Sequence, residues 1–122
     1  MLNATLLSII EEAGVAVMIL TEGLEEAELL GSRLTRAEVQ RQVKTMSDAA
    51  ARLPGDTRKL LAEIDWDGWQ AVARQFTEGG AAADMALWFA ARSLVPAMLM
   101  WLRVYRQNQP ELFVYQAFDG PA

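Results

Sequence analysis

Asp65 and Asp67 stand either side of Trp66 in the segment IDWDGWQAVARQFTEGG, Ile64 to Gly80, and Trp69 follows within the same turn. Two carboxylates so placed could in principle share acid and base roles. Alternate aspartates at a helix start more simply accept hydrogen bonds from the free backbone N–H groups there. Glu25, Glu26 and Glu28 could contribute oxygens to a hard cation, but no calcium-loop spacing surrounds them, so they read as surface and no metal is expected. Trp66, Trp69, Trp88 and Trp101 could stack on a planar ligand, while their helical spacing makes core packing the default.

The rest of the composition narrows the chemistry further. The 122 residues contain no histidine and no cysteine. The commonest neutral-pH base, the commonest transition-metal ligand, the thiol nucleophile and any serine–histidine triad are therefore missing together. Neither a P-loop nor a G-x-G-x-x-G occurs, and Gly79-Gly80 reads as a helix stop rather than a phosphate cradle, so no cofactor is expected. The net charge of −5 is uneven: residues 1–32 hold six acids and no base, residues 33–59 seven bases and three acids. Arg41, Lys44, Asp48 and Arg52 recur at helical spacing, as on a solvated helix face, and the overall acidity argues against nucleic acid. The uncharged run Ser93 to Leu102 is short of a membrane span and the N-terminus lacks a basic signal region. The expectation is a cytoplasmic protein with no membrane role.

The elements that must position these residues are helical. Leu6, Ile10, Ala13, Val17 and Leu20 form one stripe of a first helix over about Leu6 to Thr21, stopped at Gly23. An acidic turn over Glu25 to Leu30 follows. Thr35 and Glu38 have capping-box spacing ahead of Val39, Val43, Met46, Ala50 and Leu53, and Pro54-Gly55 ends that helix. Asp56 is placed to cap a short piece through Leu61, and Asp67 with Gln70 repeats the capping pattern before Val72 and Phe76. A last helix, about Asp84 to Gln107, carries two stripes, with a kink expected near Pro96 because proline lacks an N–H and crowds the Arg92 carbonyl. No strand periodicity appears. The reading is an all-α, up-and-down bundle of four or five helices over residues 1–108, with a tail over 109–122. The first and last helices have more apolar surface than one core contact covers. A homodimer through them is expected, with Val17 and Met98 as the residues to test.

The order of features resembles the HepT-like branch of the HEPN superfamily, helical proteins often encoded beside a minimal nucleotidyltransferase in toxin–antitoxin pairs. The resemblance rests on TEGLEEAEL and RLTRAEVQRQVKTMSDAAARLP, with Met46-Ser47-Asp48-Ala49 where members tend to show Ile-Gly-Glu-Ala. It rests also on IDWDGWQAVA, similar to a Trp-led helix, and on Asp84 to Trp88 followed by LVPAML. It implies a homodimer and a nucleotidyltransferase-like partner. In ribonuclease members of that family an arginine, then four to six intervening residues, a histidine, and a tyrosine two further on carry the chemistry. Laid on this chain from Trp66, those slots fall on Ala73 (or Arg74 with a one-residue shift), Glu78 and Gly80, so the motif is degenerate. A cleft surviving there would be lined by Asp48, Arg74 and Trp69. The expected function is non-catalytic binding of a nucleotidyltransferase-type partner or a nucleotide in a dimer cleft. The alternatives are a ribonuclease using Arg74, Asp48 and Glu78, in which the acid would repel the phosphodiester it serves, and an interaction module with no nucleotide role.

Overall fold

The computed structural model describes residues 2–114. They form helices α1 (Leu2–Thr21), α2 (Glu26–Gly31), α3 (Arg33–Arg52), α4 (Gly55–Leu60), α5 (Trp66–Glu78), α6 (Gly80–Phe89) and α7 (Val95–Asn108). A π turn over Ala90–Leu94 joins α6 to α7, and a 3-10 turn, Pro110–Leu112, ends the described chain. No strand occurs among the described residues.

Side-chain proximities fix the directions. On α1, Gly14 lies against Leu99 of α7 and Met46 of α3, and Glu11 pairs with Arg106 of α7. Asn3, at the start of α1, accepts from the hydroxyl of Thr57, just past the C-terminal end of α3, while Gly14 lies further along beside Met46. So α1 runs antiparallel to both α3 and α7. Trp69 of α5 sits beside Ser47, and Phe76 beside Lys44, making α3 and α5 antiparallel as well. Between α5 and α6 the chain reverses through Gly79 and Gly80, at φ 74 and 59, a left-handed conformation that residues with a Cβ resist. Four long rods thus alternate in direction, as the sequence predicts for an up-and-down bundle.

The seam is apolar. Leu6, Leu7, Ile10 and Val17 of α1 meet Val39, Val43 and Met46 of α3 and Leu87, Val95, Met98 and Leu102 of the last rod, all nearly fully buried. Each such side chain contributes about 1.5–3 kcal/mol by leaving water, against roughly 0–1 for a surface ion pair. The half-exposed pairs Arg36–Asp84 and Glu11–Arg106 therefore align rods that the core holds together. Trp66 Nε1–H donates to the carbonyls of Arg58 and Leu61, both at 3.1 Å, and the Glu63 N–H donates to the Tyr105 hydroxyl at 3.1 Å. These bonds pin the α4–α5 connection beneath α7.

Several boundaries differ from expectation. α1 starts at Leu2 rather than Leu6, its first turn anchored by buried Ala4 and by Asn3, which accepts from the buried Thr57 hydroxyl at 3.0 Å. α3 starts at Arg33, so Thr35 lies inside its first turn and Glu38 engages Arg41 and Gln42 instead of capping. The reciprocal carboxylate is found at α2, where Glu28 accepts from the Glu25 N–H at 2.8 Å. Asp56 lies in the first turn of α4, whose N-cap is Pro54. α5 is capped by Asp65, accepting from the Gly68 N–H at 2.9 Å, and not by Asp67. The last rod starts at Gly80, not Asp84, and the irregularity expected near Pro96 takes the form of the π turn, where the Val95 N–H reaches back to the Ala90 carbonyl. Of the 109–122 tail, Leu112 and Phe113 pack on the core, with the Arg106 guanidinium 4.6 Å from the Phe113 ring centre; residues 115–122 lie outside the described residues.

Both Leu2–Thr21 and Gly80–Asn108 are long and apolar enough to cross a membrane by length and composition, well beyond the Ser93–Leu102 run. In the fold 44 % of each apolar window is buried within the bundle, which leaves part of each helix's apolar surface facing outward.

Candidate binding grooves

At about 100° per residue, the side chains of α5 divide into three faces. Trp69 and Val72 point into the core. Ala73 turns toward α3 and lines two recesses there. Arg74 lies about 100° further round and Glu78 about 140° from Ala73, both exposed and lining neither recess. Gly80 stands beyond the helix end at positive φ. The slots Ala73, Arg74, Glu78 and Gly80 therefore occupy different faces of one chain rather than a single cleft.

Of the expected cleft residues, two reach the α3–α5 groove and one does not. Trp69, 2 % exposed, walls a recess of about 150 Å³ together with Ser47, Ala50, Ala51, Arg58, Trp66, Gln70 and Ala73. Asp48 lines the adjoining recess, about 270 Å³, with Lys44, Phe76 and Thr77. Its carboxylate accepts from Lys44 Nζ at 3.0 Å, so it is engaged as a surface partner. Arg74 stays outside the groove. Among the described residues no group of three or more metal-ligating side chains comes together, Glu25, Glu26 and Glu28 included, and all three of those are exposed.

Among the described residues the one strongly shifted carboxyl is Glu38, held down from 4.5 to about 2 by hydrogen bonds first from Arg41 and then from Gln42. Arg41 is raised in turn by the same contact. The pair is exposed on α3 and lies in neither recess of the groove, so the shift marks a local ion pair and not a catalytic group.

A second opening lies between the C-terminal half of α1 and the π turn. Val15, Met18 and Ile19 face Ala91, Arg92 and Pro96 across a recess of about 450 Å³. Ile19 is 68 % exposed and Val15 50 %; Met85, Phe89 and Met100 add exposed apolar side chains along the last rod. The Arg92 guanidinium lies 5.2 Å from the Trp88 ring centre. Val17 and Met98, expected at a dimer contact, are instead 0 % and 1 % exposed inside one chain.

Sequence reasoning missed Arg58, Ser47, Ala50 and Ala51 as groove residues. The available signal was small residues on α3 at the height of a tryptophan-led helix. It also missed Arg92 and Pro96 as walls of the α1 opening, since only the folded π turn brings them to Met18. Compared with protein-family models, curated proteins and solved structures, the chain matches none.

Proposed function

We propose that this chain is a non-catalytic, homodimeric helical binding protein of the HepT-like kind, cytoplasmic and related to toxin–antitoxin pairs. In this reading α1 and the α6–α7 rod meet a second copy, and the pair receives a nucleotidyltransferase-type partner or a nucleotide. The observation that carries it is the open apolar face of Val15, Met18 and Ile19 around the 450 Å³ recess. Such a face is costly in water unless covered, and a two-fold contact covers it on both copies at once. Arg74 and Glu78 line neither the recess that Asp48 lines nor the other two, which favours binding over the ribonuclease alternative.

Sedimentation equilibrium over a wide concentration range tests the reading directly. A dimer at micromolar protein is expected, with a dissociation constant unaffected by RNA. A chain that stays monomeric at every concentration overturns it, and cleavage of single-stranded RNA that disappears in Arg74→Ala or Glu78→Gln would restore the ribonuclease alternative.

A further inference from the structure

We propose that the recess between α3 and α5 binds a small aromatic carboxylate, its ring against Trp66 and Trp69 and its carboxylate on Arg58. The proposal is independent of the dimer reading, because this recess lies on the α3–α5 side and shares no residue with the α1 opening.

Size comes first. The recess opens at the surface beside exposed Ala51, Gln70 and Ala73, and the small side chains of Ala50, Ala51 and Ala73 leave room that larger residues would fill. The result is about 150 Å³, the volume of a cavity that takes one benzene-sized ring. Nucleotide-sized ligands occupy clefts of roughly 300 Å³ or more. The wall is also fixed in advance: Trp66 is held through its ring N–H by two carbonyls, and Trp69 is buried. A pre-formed wall lowers the ordering cost of binding.

Charge selects the other end of the ligand. Among the described residues Arg58 is the only ionisable one lining the recess, in a chain whose net charge is −5. Among the described residues its guanidinium forms no ion pair. Asp65 is close in sequence to Trp66 but its carboxylate caps Gly68, and neither Asp65 nor Asp67 lines the recess. Polar capacity remains in the Gln70 side chain and in the buried Ser47 hydroxyl, which has only a long 3.5 Å contact to the Trp69 carbonyl. A planar apolar body with one anionic group matches this lining, and arginine matches a carboxylate in geometry as well as charge.

The experiment is a titration of the full chain with benzoate, benzamide and butyrate, read by the indole N–H resonances in two-dimensional NMR. Benzoate is expected to move the Trp66 and Trp69 signals saturably while Trp88 and Trp101 stay in place. Benzamide, butyrate and the Arg58→Gln variant should each weaken binding by roughly tenfold or more. Ala73→Leu fills the recess from an exposed position with a good helix former, so it should abolish binding and leave the helical circular dichroism intact. No saturable shift with benzoate, equal binding of benzamide or butyrate, or undiminished binding in Ala73→Leu overturns the proposal. So does a wild-type chain that gives no benzoate shift but changes oligomeric state in Ala73→Leu, which would show that the recess seats a side chain of another copy.

Discussion

Glu38 illustrates how far a single side chain can be read in advance. The sequence places it in a capping box with Thr35, but α3 begins at Arg33, with the Arg36 N–H already donating to the Ser32 carbonyl at 2.8 Å. Arginine and leucine are good helix formers, so nothing at residues 33 and 34 delays the start. At α5 a cap in the Asp65-Trp66-Asp67 segment was legible, but the spacing pointed to Asp67 with Gln70, and the carboxylate that accepts from Gly68 is that of Asp65. Freed from capping, Glu38 takes Arg41 and Gln42, and its folded pKa of about 2 lies below the ordinary 4.5. Whatever stability this contact adds is complete above pH 4.5 and is lost as pH falls toward 2. Carbon-detected titration of the Glu38 carboxyl should find its midpoint well below the ordinary 4.5. In Arg41→Gln its midpoint should rise toward the ordinary 4.5, and a midpoint unmoved by that substitution would contradict the assigned cause.

Among the elements, the position and type of each rod were legible from apolar spacing, since Leu6, Ile10, Ala13 and Val17 or Val39, Val43 and Met46 are the residues found buried. What spacing leaves out is how closely two rods approach. Gly14 sits in an unbroken apolar run and gives no local sign of its role. A Cβ built there would lie 2.8 Å from Leu99 Cδ2 and 3.1 Å from Met46 Cε. One methyl meets the flexible ends of two side chains, and the helix preference of alanine over glycine, about 0.5–1 kcal/mol, offsets part of that crowding. Valine adds two further methyls at the same crossing and stiffens χ1, so Gly14→Val should cost about 1–3 kcal/mol while Gly14→Ala stays near neutral. Urea unfolding of the three proteins distinguishes these outcomes; equal midpoints for valine and glycine would mean that α1 and α7 are not tightly crossed. The π turn is a similar case. Proline predicted an irregularity near residue 96, but the choice of a widened turn over Ala90–Leu94 depends on packing around the buried Ala90, Ala91 and Leu94.

For the whole molecule, the all-α bundle was legible because 52 % apolar residues at helical period leave few other ways to bury a core. Which part of that apolar surface stays outside the chain's own core was not. Val17 and Met18 are adjacent and both apolar, yet α1 turns about 100° between them, burying Val17 fully and leaving Met18 39 % exposed beside the α1 opening. Periodicity marked Val17 as the residue to test for association, whereas the fold buries Val17 and leaves Met18 exposed, so in the proposed dimer the test belongs to Met18. Opposite results should therefore come from the same substitution one residue apart. Val17→Asp places a carboxylate in a water-free seam, a cost of several kcal/mol against a total stability of roughly 5–15, and should give unfolded or insoluble chain. Met18→Asp keeps its charge in water and disturbs the isolated chain by about 0.5 kcal/mol or less. In a dimer, however, it sets two carboxylates on a contact that the two-fold axis repeats. The expected product is a folded monomer whose melting temperature no longer depends on protein concentration, as measured by light scattering and thermal circular dichroism. A Met18→Asp protein that dimerises as wild type does would remove the α1 opening from the interface, and a folded, soluble Val17→Asp protein would show that α1 is not seated in the bundle as described.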